Sequence, residues 1–191
     1  LGGCAAVVVG GAAVGTAMVV TDRRTAGVQL EDQNIELKSL TRIRETVGER
    51  GHVNATSYNR MVLLTGEVPS EADRSALEQS ITKIENVRST VNELAVMGPS
   101  SMTARSNDTI LTSKVKASFI DAKDLHANAV KVVTERGVVY LLGRVTEREA
   151  NRASDIARAV SGVQKVVRVF EVITEAELAE RMAAWQPHAP N

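Results

Sequence analysis

The chain is poor in aromatic residues and in cysteine, and it carries no net charge. Aromatic side chains make up only 3% of the 191 residues, although 43% of them are hydrophobic. Any core must therefore be built from Val, Leu, Ile and Ala, which suits small layered modules better than a deep ligand cavity. Cys4 is the single cysteine, so no intramolecular disulfide can staple the fold. Lys plus Arg and Asp plus Glu stand at 23 each, which excludes the uniformly basic field of a nucleic-acid-binding chain. The three histidines, His52, His126 and His188, have no metal-ligand spacing with another His, Cys or Asp. No P-loop or dinucleotide fingerprint occurs, and the paired carboxylates Glu147 and Glu149 fit helix capping. No catalytic residue, metal or dissociable cofactor is expected, and the chain reads as a non-enzyme.

The first twenty residues carry no charge. Within them Gly2, Gly3, Gly10, Gly11 and Gly15 make a poor helix. Leu1-Gly2-Gly3-Cys4 resembles the bacterial lipobox, where a signal peptidase cuts and the new N-terminal Cys4 carries acyl chains. On that reading residues 1–3 are a signal-peptide remnant, and Cys4 bears a covalent diacylglycerol and an N-acyl chain. A spanning anchor is the alternative, since ~20 apolar residues suffice to cross a bilayer. Ala5, in place of an Asp after the cysteine, resembles the outer-membrane sorting pattern. Residues 4–31 read as a lipidated linker, with Arg23 and Arg24 holding it in solution near lipid headgroups.

What the sequence does have is an internal repeat, offset by 76 to 77 residues. Val62-Leu63-Leu64-Thr65-Gly66-Glu67-Val68 matches Val139-Tyr140-Leu141-Leu142-Gly143-Arg144-Val145 as V-x-L-x-G-x-V. Repeat one (32–97) opens with Asp32 or Asn34 as helix cap, and its stripe is Leu37, Leu40, Ile43 and Val47. A hairpin turning at Asn59-Arg60 follows. Ser70 to Asp73 then caps a helix with Ala76, Leu77, Ile81 and Ile84 inward, and a strand over 87–96 closes the unit. Repeat two (106–173) opens at Asn107-Asp108 with a stripe of Leu111, Val115 and Phe119. Its hairpin turns at Glu135-Arg136-Gly137, and Thr146 to Glu149 caps a helix with Ala153, Ile156, Ala157 and Val160 inward. A Val-rich strand over 163–173 ends it. Residues 98–105 read as a linker, and 174–191 as a C-terminal helix and tail. In that helix Leu178, Met182 and Trp185 form a stripe that docks on the core or touches a membrane. The fold class is α+β, two tandem αββαβ modules, each a three-stranded mixed sheet packed by two helices. Each repeat is expected to fold on its own.

The αββαβ unit with V-x-L-x-G-x-V, a capped second helix and a closing strand resembles the BON domain. Lipobox, linker and two such repeats in this order are similar to the dual-BON outer-membrane lipoproteins. That resemblance implies binding to anionic phospholipid, a role in outer-membrane integrity and division-site localisation. It also implies that the helix opening repeat two, here with Ser106, Asn107 and Thr109, makes the lipid contact. The position of Ile110 is typically a Trp in those proteins. A soluble periplasmic dual-BON relative without the lipobox is the nearest rival.

Charge supports the same helix. Residues 32–96 hold 8 Lys/Arg against 10 Asp/Glu, whereas residues 107–173 hold 11 against 8. The second module is the one suited to an anionic surface. At ~100° per residue Ile110 points away from Leu111, Val115 and Phe119, on a face with Ser113, Lys114 and Ala117. An exposed Ile beside a Lys suits shallow insertion with a cationic contact. Packing of Ile110 on the neighbouring module is the alternative. The expectation is a lipid-anchored protein on the periplasmic face of the outer membrane, whose partner is an anionic phospholipid membrane. A second reading is a protein–protein adaptor that contacts outer-membrane assembly or division proteins.

Overall fold

The computed structural model describes residues 22–184. Helix α1 (Ala26–Thr46) leads into a hairpin of β1 (His52–Tyr58) and β2 (Met61–Val68). Helix α2 (Glu71–Thr82) then crosses to β3 (Ser89–Asn92) and β4 (Ala95–Val96), which follow one line along β2 in parallel register. The second unit repeats the order. It runs α3 (Met102–Asp121), β5 (Lys131–Glu135), β6 (Val138–Val145), α4 (Glu147–Ala159) and β7 (Lys165–Val172), followed by α5 (Glu175–Ala184). In each sheet the middle strand carries the repeat motif, antiparallel to its hairpin partner and parallel to the closing strand.

The motif's glycine has a steric cause. A Cβ on Gly66 would lie 2.0 Å from the His52 carbonyl oxygen, and one on Gly143 would lie 2.3 Å from that of Ala129. Only glycine lets the two backbones approach so closely.

Both helices that open a repeat begin earlier than the sequence suggests. Thr25 caps α1 by accepting from the Val28 N–H, and Ser101 caps α3 through the Ala104 N–H. Asp32 and Asp108 are instead buried within their helices, each grasping the hairpin turn of its own unit. Asp32 accepts from the N–H groups of Asn59 and Arg60, both at 2.8 Å, and from the Ser57 hydroxyl at 2.6 Å. Asp108 accepts from those of Arg136 at 2.8 Å and Gly137 at 2.9 Å. All four turn residues have positive φ, a conformation that costs a non-glycine residue and is held here by the carboxylate.

The inward faces differ from expectation in three places. On α1 the buried residues are Ile35, Ser39, Ile43 and, just beyond the helix, Val47, while Leu37 and Leu40 are exposed. Ala76 is exposed, so α2 buries Leu77 and Ile81. Residues 87–96 do not form one strand, because the ladder lapses at Glu93 and Leu94, where the Leu94 side chain enters the core. The stripe of Leu111, Val115 and Phe119 is buried as expected, and the capping box of Thr146 and Glu149 is present. Helix α5 buries nothing: Leu178 is half-buried and Met182 exposed, which does not match docking of that stripe. Trp185 lies outside the described residues.

The two units share a core. Val62, Leu64 and Val68 face the helices of the first unit, and Val139, Leu141 and Val145 face those of the second. The intervening residues Leu63, Tyr140 and Leu142 meet between the sheets, together with Tyr58 and Val169. The order of layers is helices, sheet, sheet, helices. Each sheet therefore has one face covered by the other unit, a contact that the reading of two self-contained modules did not include.

Candidate functional site

Helix α3 is positioned by its buried side. Leu111, Val115 and Phe119 are at most 7% exposed, and Asp108 is fixed to the β5–β6 turn. The opposite side is therefore presented to solvent. Ser106, Asn107, Thr109, Ile110, Ser113, Lys114 and Ala117 are all exposed, so the structure brings every candidate residue of this helix onto its outer surface. Ile110 is 54% exposed, so it is not buried in the contact between the units.

Two further apolar side chains extend this face, Met102 at 73% and Ile120 at 72% exposure. Ile120 follows Ile110 by ten residues, and Met102 precedes it by eight. Both fall within ~80° of Ile110 at ~100° per residue. Continuing the helical pattern beyond Ala117 finds Ile120, whereas Met102 is hidden by placing the helix start too late. The hydroxyls on the face are turned inward on the helix itself: Ser106, Thr109 and Ser113 donate to the carbonyls of Met102, Arg105 and Thr109 at 2.9–3.1 Å. Such back-bonding leaves these hydroxyls less dependent on water.

A groove of about 640 Å³ runs along one flank of α3. Ile110 and Lys114 line it from the helix, Met97 and Pro99 from the segment between the units, and Arg136 from the β5–β6 turn. Its lining mixes apolar side chains with two cations, Lys114 and Arg136, and with the buried Asp108. Arg136 is brought here by the hairpin, 22 positions beyond Lys114 in the chain, and no local pattern marks it.

The segment entering α1 reaches the other end of the same helix. Asp22, Arg24, Lys116 and Ile120 line one cleft of about 370 Å³. Arg23 and Arg24 are not in solution, contrary to expectation. Arg23 donates twice to Glu149, at 2.6 and 2.7 Å, and once to the Arg144 carbonyl at 2.8 Å. Burial works against ionisation of Glu149, but Arg23 and the Thr146 N–H outweigh it and hold the carboxyl at about 2. Arg24 pairs with Asp22 and Asp32 and lies 4.2 Å from the centre of the Tyr58 ring. Consecutive arginines thus fasten the entering segment to different units, Arg23 to the second and Arg24 to the first.

Cys4 and residues 1–20 lie outside the described residues, and with them the choice between acylation and a spanning anchor. Among the described residues no helix is long and apolar enough to cross a membrane.

The BON domain family model matches twice, at residues 31–98 and 107–174. The chain is 42% identical over 176 residues to the Outer membrane lipoprotein DolP of Haemophilus influenzae, covering 91% of this chain and 90% of that one. It is 29% identical to a 21 kDa hemolysin of Actinobacillus pleuropneumoniae, over 80% of this chain and 79% of the relative. It is also 32% identical to the Osmotically-inducible protein Y of Escherichia coli, over 60% and 58%.

Proposed function

The chain belongs to the BON-domain family, and from that membership we propose that it is an envelope lipoprotein whose second BON domain binds anionic phospholipid and supports outer-membrane integrity. The observation that carries the reading is the outer face of α3. It has three exposed apolar side chains, Met102, Ile110 and Ile120, with Lys114 one turn beyond Ile110 and Arg136 across the groove. Apolar groups that enter the headgroup layer beside cations that meet phosphate are what an interfacial helix needs. Each cation near an anionic leaflet contributes ~1 kcal/mol. The likeness to a named outer membrane lipoprotein supports placement at that membrane, on its periplasmic face, with acyl chains on Cys4 as the anchor. The entry of the N-terminal segment beside Lys116 and Ile120 suits this, because an anchor would draw the end of α3 toward the lipid.

The test is sedimentation of the unacylated full-length chain with anionic and with neutral vesicles. Ile110→Glu is expected to weaken binding to anionic vesicles about tenfold, while folding stability changes by no more than ~0.5 kcal/mol. Lys114→Glu acts in the same direction and loses its effect in high salt. Equal binding to both vesicle types, or full binding by Ile110→Glu, would refute the lipid-facing assignment.

A second reading, a protein adaptor contacting envelope assembly or division proteins, is favoured by α1. Leu30, Leu37 and Leu40 are 60%, 63% and 44% exposed along its outer side. Leu37→Lys separates the two readings, since it leaves vesicle binding intact and abolishes capture of a protein partner.

A further inference from the structure

Behind the α3 face, where the two BON domains meet, three ionisable side chains converge. His52 and Glu67 are cross-strand partners on β1 and β2 of the first domain, and Glu135 ends β5 of the second. Glu67 is fully buried and Glu135 nearly so. His52 Nδ1 lies 3.5 Å from Glu67 Oε2 and 3.6 Å from Glu135 Oε1. One donor atom from each residue can be chosen so that all three lie within 4.8 Å of one another.

We propose that His52, Glu67 and Glu135 form an interdomain site for a divalent transition metal ion of the zinc type. Geometry carries the assignment. Metal–ligand bonds of 2.0–2.2 Å in a tetrahedron place neighbouring donors about 3.4 Å apart, close to both distances from Nδ1. That nitrogen has no hydrogen-bond partner, and neither has Glu67 Oε1, although both atoms are buried. Unpaired buried polar atoms carry a desolvation cost that a bound ion removes. Both carboxylates are already held by hydrogen bonds, Glu135 through the oxygen turned away from His52 and Glu67 through the one that faces it. Glu135 Oε2 accepts from Asn54 Nδ2 at 3.0 Å, and Glu67 Oε2 accepts from the Ser100 N–H at 3.1 Å.

The electrostatics agree. Burial and the nearby Arg105 lower the His52 pKa despite the pull of Glu67 and Asp108. Burial, with Glu67 and Asp108 close by, pushes Glu135 up to about 7 even though Asn54 donates to it and Arg105 opposes the rise. The cations present leave this second carboxylate short of positive charge. Arg136 approaches Glu67 Oε1 only to 3.9 Å. A mixed nitrogen and carboxylate set favours zinc-like ions over Mg²⁺ and Ca²⁺, which prefer all-oxygen cages. Access and room for a completing water come from a cleft of about 240 Å³ lined by His52, Asn54, Arg105, Thr109 and Glu135. Because the ligands come from both domains, the ion would fasten one to the other directly behind the lipid-facing helix.

The test is titration of the chelator-stripped, untagged full-length chain with ZnCl2, followed by calorimetry and by thermal melting. One ion per chain is expected, with micromolar or tighter affinity and a raised melting temperature, and with little response to MgCl2 or CaCl2. His52→Gln and Glu135→Gln are each expected to lower the affinity at least tenfold. The absence of binding up to about 1 mM, or binding that neither substitution changes, would overturn the proposal. If a substitution abolishes the cooperative melt, the visible spectrum of the Co²⁺-loaded wild type decides. Intense bands of a four-coordinate ion support the site, and the weak spectrum of a six-coordinate ion overturns it.

Discussion

Replacing Arg23 by Ala removes both hydrogen bonds to Glu149 and leaves a carboxylate that is 2% exposed with the Thr146 N–H as its remaining close donor. Holding Glu149 at about 2, against an ordinary 4.5, corresponds to ~3 kcal/mol at ~1.4 kcal/mol per pH unit. Breaking a buried pair by removing one partner costs ~3–5 kcal/mol, which brackets the same figure. For a protein of this size each kcal/mol moves the midpoint by ~2–4 °C, so a fall of roughly 6–12 °C at pH 7 is expected. The pH dependence follows from the sign of the shift. A depressed carboxylate contributes in full above its unfolded value and loses that contribution as pH falls through its folded value. The gap between wild type and Arg23→Ala should therefore close as the pH falls from about 4.5 to about 2. Arg23→Lys keeps the charge but not the paired geometry, and is expected to fall between the two. Thermal melts of the three proteins across that range test this. A gap under ~1 °C at pH 7, or one that stays constant down to pH 2, would show that Arg23 does not hold Glu149.

Glu135 titrates in the opposite sense. Its raised pKa favours the fold below about 4.5 and withdraws that contribution as pH rises through about 7, so Glu135→Gln should flatten the loss of stability between about pH 4.5 and 7, seen as a smaller slope of melting temperature against pH. A second domain cut free at residues 102–173 exposes Tyr140, Leu142 and Val169, and is expected to aggregate or melt without cooperativity. A monomeric fragment that melts as sharply as the full chain would refute the shared core.

The hairpins, the caps of α2 and α4 and the buried stripe of α3 were legible because each is written in neighbouring residues. The sheet-on-sheet core was written too, but differently: Val62-Leu63-Leu64 and Val138 to Leu142 do not alternate with polar residues, the pattern of strands covered on both faces. Helix α1 misleads because Leu37 and Leu40 continue the helical spacing of Ile43 and Val47, whereas its buried side includes Asp32 and Ser39. Those polar residues are tolerated because Ser39 donates to the Ile35 carbonyl and Asp32 holds the turn. Arg23 found its partner 126 positions away, and Glu135 lies 83 beyond His52, separations over which no local pattern speaks. Of the surface proposed to meet lipid, the exposed side of α3 was readable from helical spacing, whereas Arg136 reaches it through tertiary folding.

The attachment of the N-terminal segment has a consequence for how strongly α3 must bind. With the chain anchored through Cys4, as proposed, contact between α3 and lipid is an intramolecular event. Arg23 and Arg24 clamp the segment to both domains, so the tether begins at a fixed point beside Lys116 and Ile120. A short tether supplies an effective concentration in the millimolar range. A face with only millimolar affinity for phospholipid would then already be about half occupied. Ile110 in place of a larger aromatic is adequate under those terms, because the anchor provides residence and the helix provides orientation. Release of the clamp would lengthen the tether and lower that effective concentration without altering one atom of the lipid-facing surface.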